Sequence, residues 1–181
     1  GVVGMGRIGS AVAARARTFG LNIHYFSRNR RPPQLEEKLG AIYHDTLDEM
    51  LGVVDILSLH TPLTRDTNHI LSRARIGLMK PEAIVVNVSR PELIEEDALV
   101  EAIEGGRLAG AALDVFESLP GISPRLLGLA RTHRVLLTPH MASATLEARL
   151  EMGETVIVNI RAFVDGHQPP HRVLPETRAR A

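Results

Sequence analysis

The sequence predicts an α/β chain: a doubly wound parallel sheet with helices on both faces. Short apolar runs alternate with helical stretches along the chain, and several of those runs contain almost no polar residue. A glycine-rich turn directly follows the first run, where a strand would pass into a helix.

Taken in order, Gly1-Val2-Val3-Gly4 reads as the tail of a strand entering that turn. A core strand this short would pair poorly, so we expect a fragment with an upstream region before it. Residues 8–19 form a helix with Ile8, Val12 and Ala16 on one face. Residues 22–26 are a second strand, ended by the polar, proline-containing stretch 27–33. Residues 34–39 and 46–51 are short helices around a brief strand at Ile42. The runs 53–59 and 83–88 suit strands buried on both faces. Ser72 can cap a helix that stops before Pro81. Residues 95–104 are helical and close at Gly105-Gly106. Residues 110–113 and 135–137 are the last strands, 145–165 a long helix, and 166–181 a tail rich in proline and arginine.

The 181 residues suffice for one domain with a sizeable core. Basic and acidic residues balance at 21 each, so no global field favours nucleic acid or anionic lipid, and neither partner is expected. The lack of cysteine excludes disulfides and thiolate metal sites and fits a reducing cytoplasm, the expected location. No apolar run reaches the roughly 18 residues that span a bilayer. His24, His44 and His69 lack metal-ligand spacing, and no metal site is expected.

Gly4-Met5-Gly6-Arg7-Ile8-Gly9 fits G-x-G-x-x-G. Such spacing alone is also that of a plain strand-to-helix turn; between a strand and a helix it points to a dinucleotide. Gly4 makes the turn, Gly6 lets backbone approach a pyrophosphate, and Gly9 lets helix and strand pack closely. Arg7 and Ile8 open the helix whose N–H groups and dipole favour phosphate. The fold expected is therefore Rossmann-like, with residues 1–165 as a dinucleotide-binding domain and 166–181 as a tail.

With NAD, the second strand should end in Asp or Glu, which accepts hydrogen bonds from the ribose hydroxyls. This chain has Ser27-Arg28-Asn29-Arg30-Arg31 there. An arginine pairs with a 2′-phosphate that a carboxylate would repel, so NADP is the expected cofactor and NAD the alternative. A solvated basic loop is the plainer account.

Further segments give the chain a family likeness: His60-Thr61-Pro62-Leu63-Thr64, Asn87-Val88-Ser89-Arg90, residues 110–116, and Thr138-Pro139-His140-Met141-Ala142-Ser143-Ala144-Thr145. In this order they resemble the D-isomer-specific 2-hydroxyacid dehydrogenases, above all the glyoxylate/hydroxypyruvate reductase branch. The resemblance implies a two-domain protein, with the nucleotide domain inserted into a substrate domain mostly missing from this chain. It implies hydride transfer between NADP(H) and a small 2-oxo acid, with Arg90 binding and polarising the substrate and His140 as acid/base. It assigns Asp114 to the nicotinamide carboxamide, and Thr61, Pro62, Val88, Ser89, Ala142 and Ser143 to the cofactor site. A homodimer is implied as well. In isolation Arg90 would read as a surface ion-pair residue, His140 as a loop histidine and Asp114 as a strand-end cap.

Two positions depart from the family pattern. A glutamate that pairs with the histidine stands, in the family, five residues after the aspartate and just before a proline; here Leu119 precedes Pro120. Glu117 is nearby, but its side chain need not face His140. Pro91 replaces a usual glycine; were positive φ needed there, the loop would have to move. Both changes suggest reduced catalysis with cofactor binding kept. Hence the rival expectation, a nucleotide sensor or corepressor-like module on the same fold. A cleft with one wall also leads us to expect little activity from this chain alone.

Overall fold

A computed structural model of the chain describes residues 1–117 and 121–172. Two compact units divide it, Gly1–His140 and Met141–Ala181.

The first unit holds a seven-stranded parallel sheet in the order β3-β2-β1-β4-β5-β6-β7. In chain order its elements are β1 (Val2–Val3), α1 (Arg7–Thr18), β2 (Ile23–Phe26), α2 (Pro33–Leu39), β3 (Ala41–Tyr43), α3 (Leu47–Leu51) and β4 (Ile56–Leu59). They continue as α4 (Arg73–Leu78), β5 (Ile84–Asn87), α5 (Glu96–Glu104), β6 (Gly110–Leu113), α6 (Pro124–Arg131) and β7 (Val135–Leu137). The Rossmann-like expectation holds, and most elements fall within a residue or two of the places the sequence suggests.

Two layers of helix pack on the sheet. α1 and α2 lie on β1–β3 and bury Met5, Ala13, Ile23, Tyr25 and Leu39. α3 to α6 pack side by side on the opposite face, over Val3, Leu57, Leu59, Val85, Leu113 and Val135. The α1–α2 layer does not extend over β4–β7. There Ile56 is 39% exposed, Ile84 38% and Leu136 64%. This corrects the expectation that β4 and β5 are buried on both faces: an apolar run predicts a strand, not what covers its second face.

Three local features also differ from the sequence reading. Ser72 precedes α4 but makes no side-chain cap; the Arg73 N–H donates instead to Glu95 Oε2 at 2.8 Å. A carboxylate brought from another element thus satisfies a donor expected to be met locally. α6 was not anticipated, because only Leu126 and Leu129 mark its buried face and Gly128 interrupts it. Pro91–Leu93 form a short 3₁₀ turn.

The second unit holds α7 (Leu146–Val164), begun where Thr145 Oγ1 accepts from the Ala148 N–H at 3.2 Å. None of its residues is buried. Among the described residues, no helix is long and apolar enough to cross a membrane. The last part of the tail, residues 173–181, lies outside the described residues.

Candidate functional site

Parallel strands place all their C-terminal ends on one edge of the sheet, and the register aligns them. Phe26, Val3, Leu59, Asn87, Leu113 and Leu137 are successive partners across neighbouring strands. The residues that follow them, Ser27, Gly4, His60, Val88, Asp114 and Thr138, therefore stand in one row. The winding reverses between β1 and β4, the place where open α/β sheets bind ligands.

At that reversal the glycine turn is shaped by close approach. Gly4 has φ +95°, and a Cβ on it would lie 2.8 Å from the His60 carbonyl. A Cβ on Gly9 would lie 2.1 Å from Gly4 O, so only glycine lets α1 leave β1 this tightly. Gly6 is different: a Cβ there would meet nothing within 4 Å. Gly6, Arg7 and Ile8 are exposed, no side chain caps α1, and its first turn has no acidic residue. This open helix N-terminus fits the pyrophosphate of a dinucleotide.

The end of β2 is tied to the same turn. Ser27 Oγ accepts from the Met5 N–H at 2.7 Å, and Gly4 N–H donates to Phe26 O at 2.8 Å. Arg28 and Asn29 follow, exposed. Arg30 turns instead to α2, donating twice to Glu36 at 2.9 Å, with its guanidinium 5.3 Å from the Tyr43 ring centre. Arg30 is thus engaged by α2.

After β4, the His60 ring lies 2.8 Å from Ser58 Oγ, and burial pushes its pKa below the usual histidine value. Thr61 is half-buried and Pro62 exposed. Ser89 Oγ donates to Thr61 O at 2.7 Å and so ties the β5 loop to the β4 loop. Asn87, 1% exposed, organises that loop: its Nδ2 donates to Arg90 O at 2.8 Å and its Oδ1 accepts from the Ser89 N–H at 3.1 Å. Val88 and Arg90 are exposed beyond it. Arg90 is extended, with φ −136° and ψ 141°. Those are angles a following proline favours, and Pro91 begins the 3₁₀ turn, where a missing N–H costs little. Pro91 itself has no positive φ, so the loop takes a path that proline allows.

β6 and β7 hold the other side. Asp114 is buried, its N–H donates to Asn87 O at 2.9 Å, and its Oδ1 accepts from the Thr138 hydroxyl at 2.5 Å. Asp114 O accepts in turn from the His140 N–H at 3.1 Å. His140 is exposed with φ +51°, an uncommon conformation for a residue other than glycine. The backbone of β6 thereby fixes where the β7 turn presents its imidazole. Glu117 Oε1 lies 3.2 Å from His69 Nε2, and the Glu117 N–H donates to Glu96, so this carboxylate is engaged by His69. Leu119 and Pro120 lie outside the described residues.

The sheet edge therefore gathers Gly4, Gly6, Arg7, Ile8, Gly9, Ser27, Arg28, Asn29, Thr61, Pro62, Val88, Ser89, Arg90, Asp114 and His140 in the first unit. Ala142 and Ser143 are exposed residues of the second unit, ahead of α7. Sequence reasoning missed Asn87 and Thr138 as supports of the site. Their signal is a polar residue closing an apolar run, which is visible but does not reveal its partner.

The protein-family model described as "D-isomer specific 2-hydroxyacid dehydrogenase, NAD binding domain" matches residues 1–142. A glyoxylate reductase of Thermococcus litoralis is 46% identical over 173 residues, 96% of this chain and 51% of that protein. The chain thus spans about half the length of the curated relatives it matches. Among solved structures, a glyoxylate reductase from Paecilomyes thermophila superposes with a TM-score of 0.84 at 41% identity, over 92% of this chain and 49% of that one. An NADPH-dependent glyoxylate/hydroxypyruvate reductase from Sinorhizobium meliloti, solved with NADP and malonate, gives 0.81 at 37% identity, over 90% and 49%.

Proposed function

This chain belongs to the D-isomer specific 2-hydroxyacid dehydrogenase family, and from that premise we propose that its protein passes a hydride between NADP(H) and a small 2-oxo acid, glyoxylate or hydroxypyruvate first. The observation that carries the reading is the row of strand ends. The glycine turn after β1, Arg90 after β5, Asp114 after β6 and His140 after β7 share one sheet edge.

A bound nicotinamide supplies the hydride. Arg90 pairs with the substrate carboxylate and polarises the carbonyl. His140 gives its proton to the carbonyl oxygen, so the oxo acid gains hydride and proton and leaves as the hydroxy acid. Asp114 accepts from the carboxamide N–H. Gly6, Arg7 and Ile8 would hold the pyrophosphate, and Ser27, Arg28 and Asn29 the 2′-phosphate. Thr61, Pro62, Val88 and Ser89 would line the path between them. The absence of an acid after β2 and the NADP of the Sinorhizobium meliloti relative favour NADP(H). The family description, an NAD binding domain, keeps NAD(H) as the alternative. The remaining half of the relatives' length would supply the opposite wall of the cleft, and a homodimer in the cytoplasm belongs to the same reading.

The test is oxidation of NADPH and NADH by the full-length protein with each acid, beside Leu119→Glu. We expect turnover with NADPH. An acid that orients a catalytic histidine is worth up to about four orders of magnitude, so Leu119→Glu should raise kcat at least about tenfold. Tight NADPH binding with no turnover by either protein would replace this reading with that of a nucleotide sensor.

A further inference from the structure

The segment that would meet the 2′-phosphate is held at both ends. At its start, Ser27 Oγ is tied to the Met5 N–H of the glycine turn at 2.7 Å. At its far end, the Arg31 N–H donates to Tyr25 Oη at 2.9 Å. Tyr25 is fully buried in the core under α1 and α2, and its hydroxyl also donates to Glu36 Oε1 at 2.5 Å. The same Glu36 carboxylate takes both hydrogen bonds from Arg30. One phenol thus uses its donor and its acceptor at once, fixing the loop backbone at Arg31 and, through Glu36, the direction of Arg30. Both interactions draw the loop toward β3 and α2, on the side of β2 away from the glycine turn.

We propose that the Tyr25 hydroxyl is a positioning group for cofactor choice: it clamps residues 28–30 so that Arg28 stays beside Ser27 for a 2′-phosphate while Glu36 keeps Arg30 off it. This rests on the NADP(H) reading given above. A free loop would have to order its arginine when the ligand arrives, and that entropy would be lost from the affinity for the phosphate alone. The rest of the dinucleotide touches the glycine turn, which the clamp does not build.

The test is the dissociation constants of NADPH, NADH, adenosine 2′,5′-bisphosphate and AMP on the full-length protein at one ionic strength, for wild type, Tyr25→Phe and Glu36→Gln. Tyr25→Phe keeps ring and charge and removes only the hydroxyl. We expect it to weaken NADPH and adenosine 2′,5′-bisphosphate by about tenfold, the scale of one lost hydrogen bond, with NADH and AMP within about twofold. Glu36→Gln covers the case in which Tyr25→Phe does not fold, and its sign is diagnostic. Removing a carboxylate by charge alone tightens a phosphate, so weaker NADPH binding would come from lost positioning. Equal weakening of phosphorylated and unphosphorylated ligands would mark Tyr25 as structural and overturn the proposal, as would unchanged constants or tighter NADPH binding in Glu36→Gln. If wild type binds NADH as tightly as NADPH, the NADP(H) reading fails and takes the clamp with it. A wild type that prefers NADPH, with the preference kept in both variants, sinks the clamp alone.

Discussion

The β1–β3 half of the sheet and the β4–β7 half meet at one crevice but are built differently. Over β1–β3 both faces are covered, by α1 and α2 on one side and α3 reaching β2 on the other. The proposed function rests there on the main chain: a turn at Gly4, an open helix N-terminus at Gly6 and a close crossing at Gly9. Over β4–β7 one face stays partly open, and the proposed function rests on side chains, Arg90 and His140, both exposed. Their main chain is held by buried residues: Asn87 Nδ2 donates to Arg90 O, and Asp114 O accepts from the His140 N–H. Main-chain recognition needs only the local fold, and the glycine turn lies within the first unit. Side chains that act on a second reactant stand at an exposed edge, and their surroundings must exclude water for their charges to have full effect.

The sharpest way to break the comparison is His140→Ala. Loss of a general acid should lower kcat by about a thousandfold, about 4 kcal/mol in the barrier, with a far smaller change in NADPH affinity. Single-turnover kinetics and cofactor titration on the same samples would decide it. If affinity fell as steeply as kcat, the two halves would not be separable and the division drawn here would be wrong.

Gly9→Ala attacks the other half. Its Cβ would sit 2.1 Å from Gly4 O, a backbone atom that cannot step aside. We expect a cost of about 3 kcal/mol in stability and loss of NADPH binding together, read by thermal melting and titration. Gly6→Ala is the control. With open space around its Cβ it should melt near wild type and still bind NADPH less well, because the added methyl occupies the space into which a pyrophosphate would come. A Gly6→Ala protein that binds normally would move the phosphate site elsewhere.

The same division explains what the sequence let one read. The glycine turn was legible because its three glycines fall at fixed spacing within six residues between a strand and a helix, and the strands because apolar runs are local. Arg90 and His140 stood out only through their order along the chain, since a single arginine or histidine carries no signal. What stayed hidden was which side chain meets which partner, near in sequence or far. Glu95 rather than Ser72 meets the first N–H of α4, and Asn87 reaches forward to hold Arg90. Glu36 binds Arg30, one of three arginines in a loop whose sequence does not tell them apart. The open face of β4 and β5 was hidden for a related reason: Ile56 and Ile84 are as apolar as any core residue, and composition does not record whether a helix lies over them.

The smallest effect expected is on stability against pH, and it too compares the halves. His24 in β2 and His60 after β4 both have pKa values lowered in the folded protein, each chiefly by burial, with His44 adding repulsion at His24. Unfolded, each would titrate near the ordinary histidine value of about 6.5. Between that value and the lower folded one, the unfolded chain binds more protons, so stability rises with pH. The contribution is full above about pH 7 and is lost as the pH falls through 6.5 toward the folded value. Melting temperatures of wild type should therefore drop from pH 7.5 to 5.5, with the buffer's own temperature dependence corrected. His60→Gln keeps a polar group beside Ser58 Oγ and removes one titration, so its drop should be shallower than that of wild type. His24→Gln tests the other half, where His44 can still relax into the space left beside it. An unchanged slope in His60→Gln would mean that this ring takes up its proton without strain, and that the end of β4 is wetter than its burial implies.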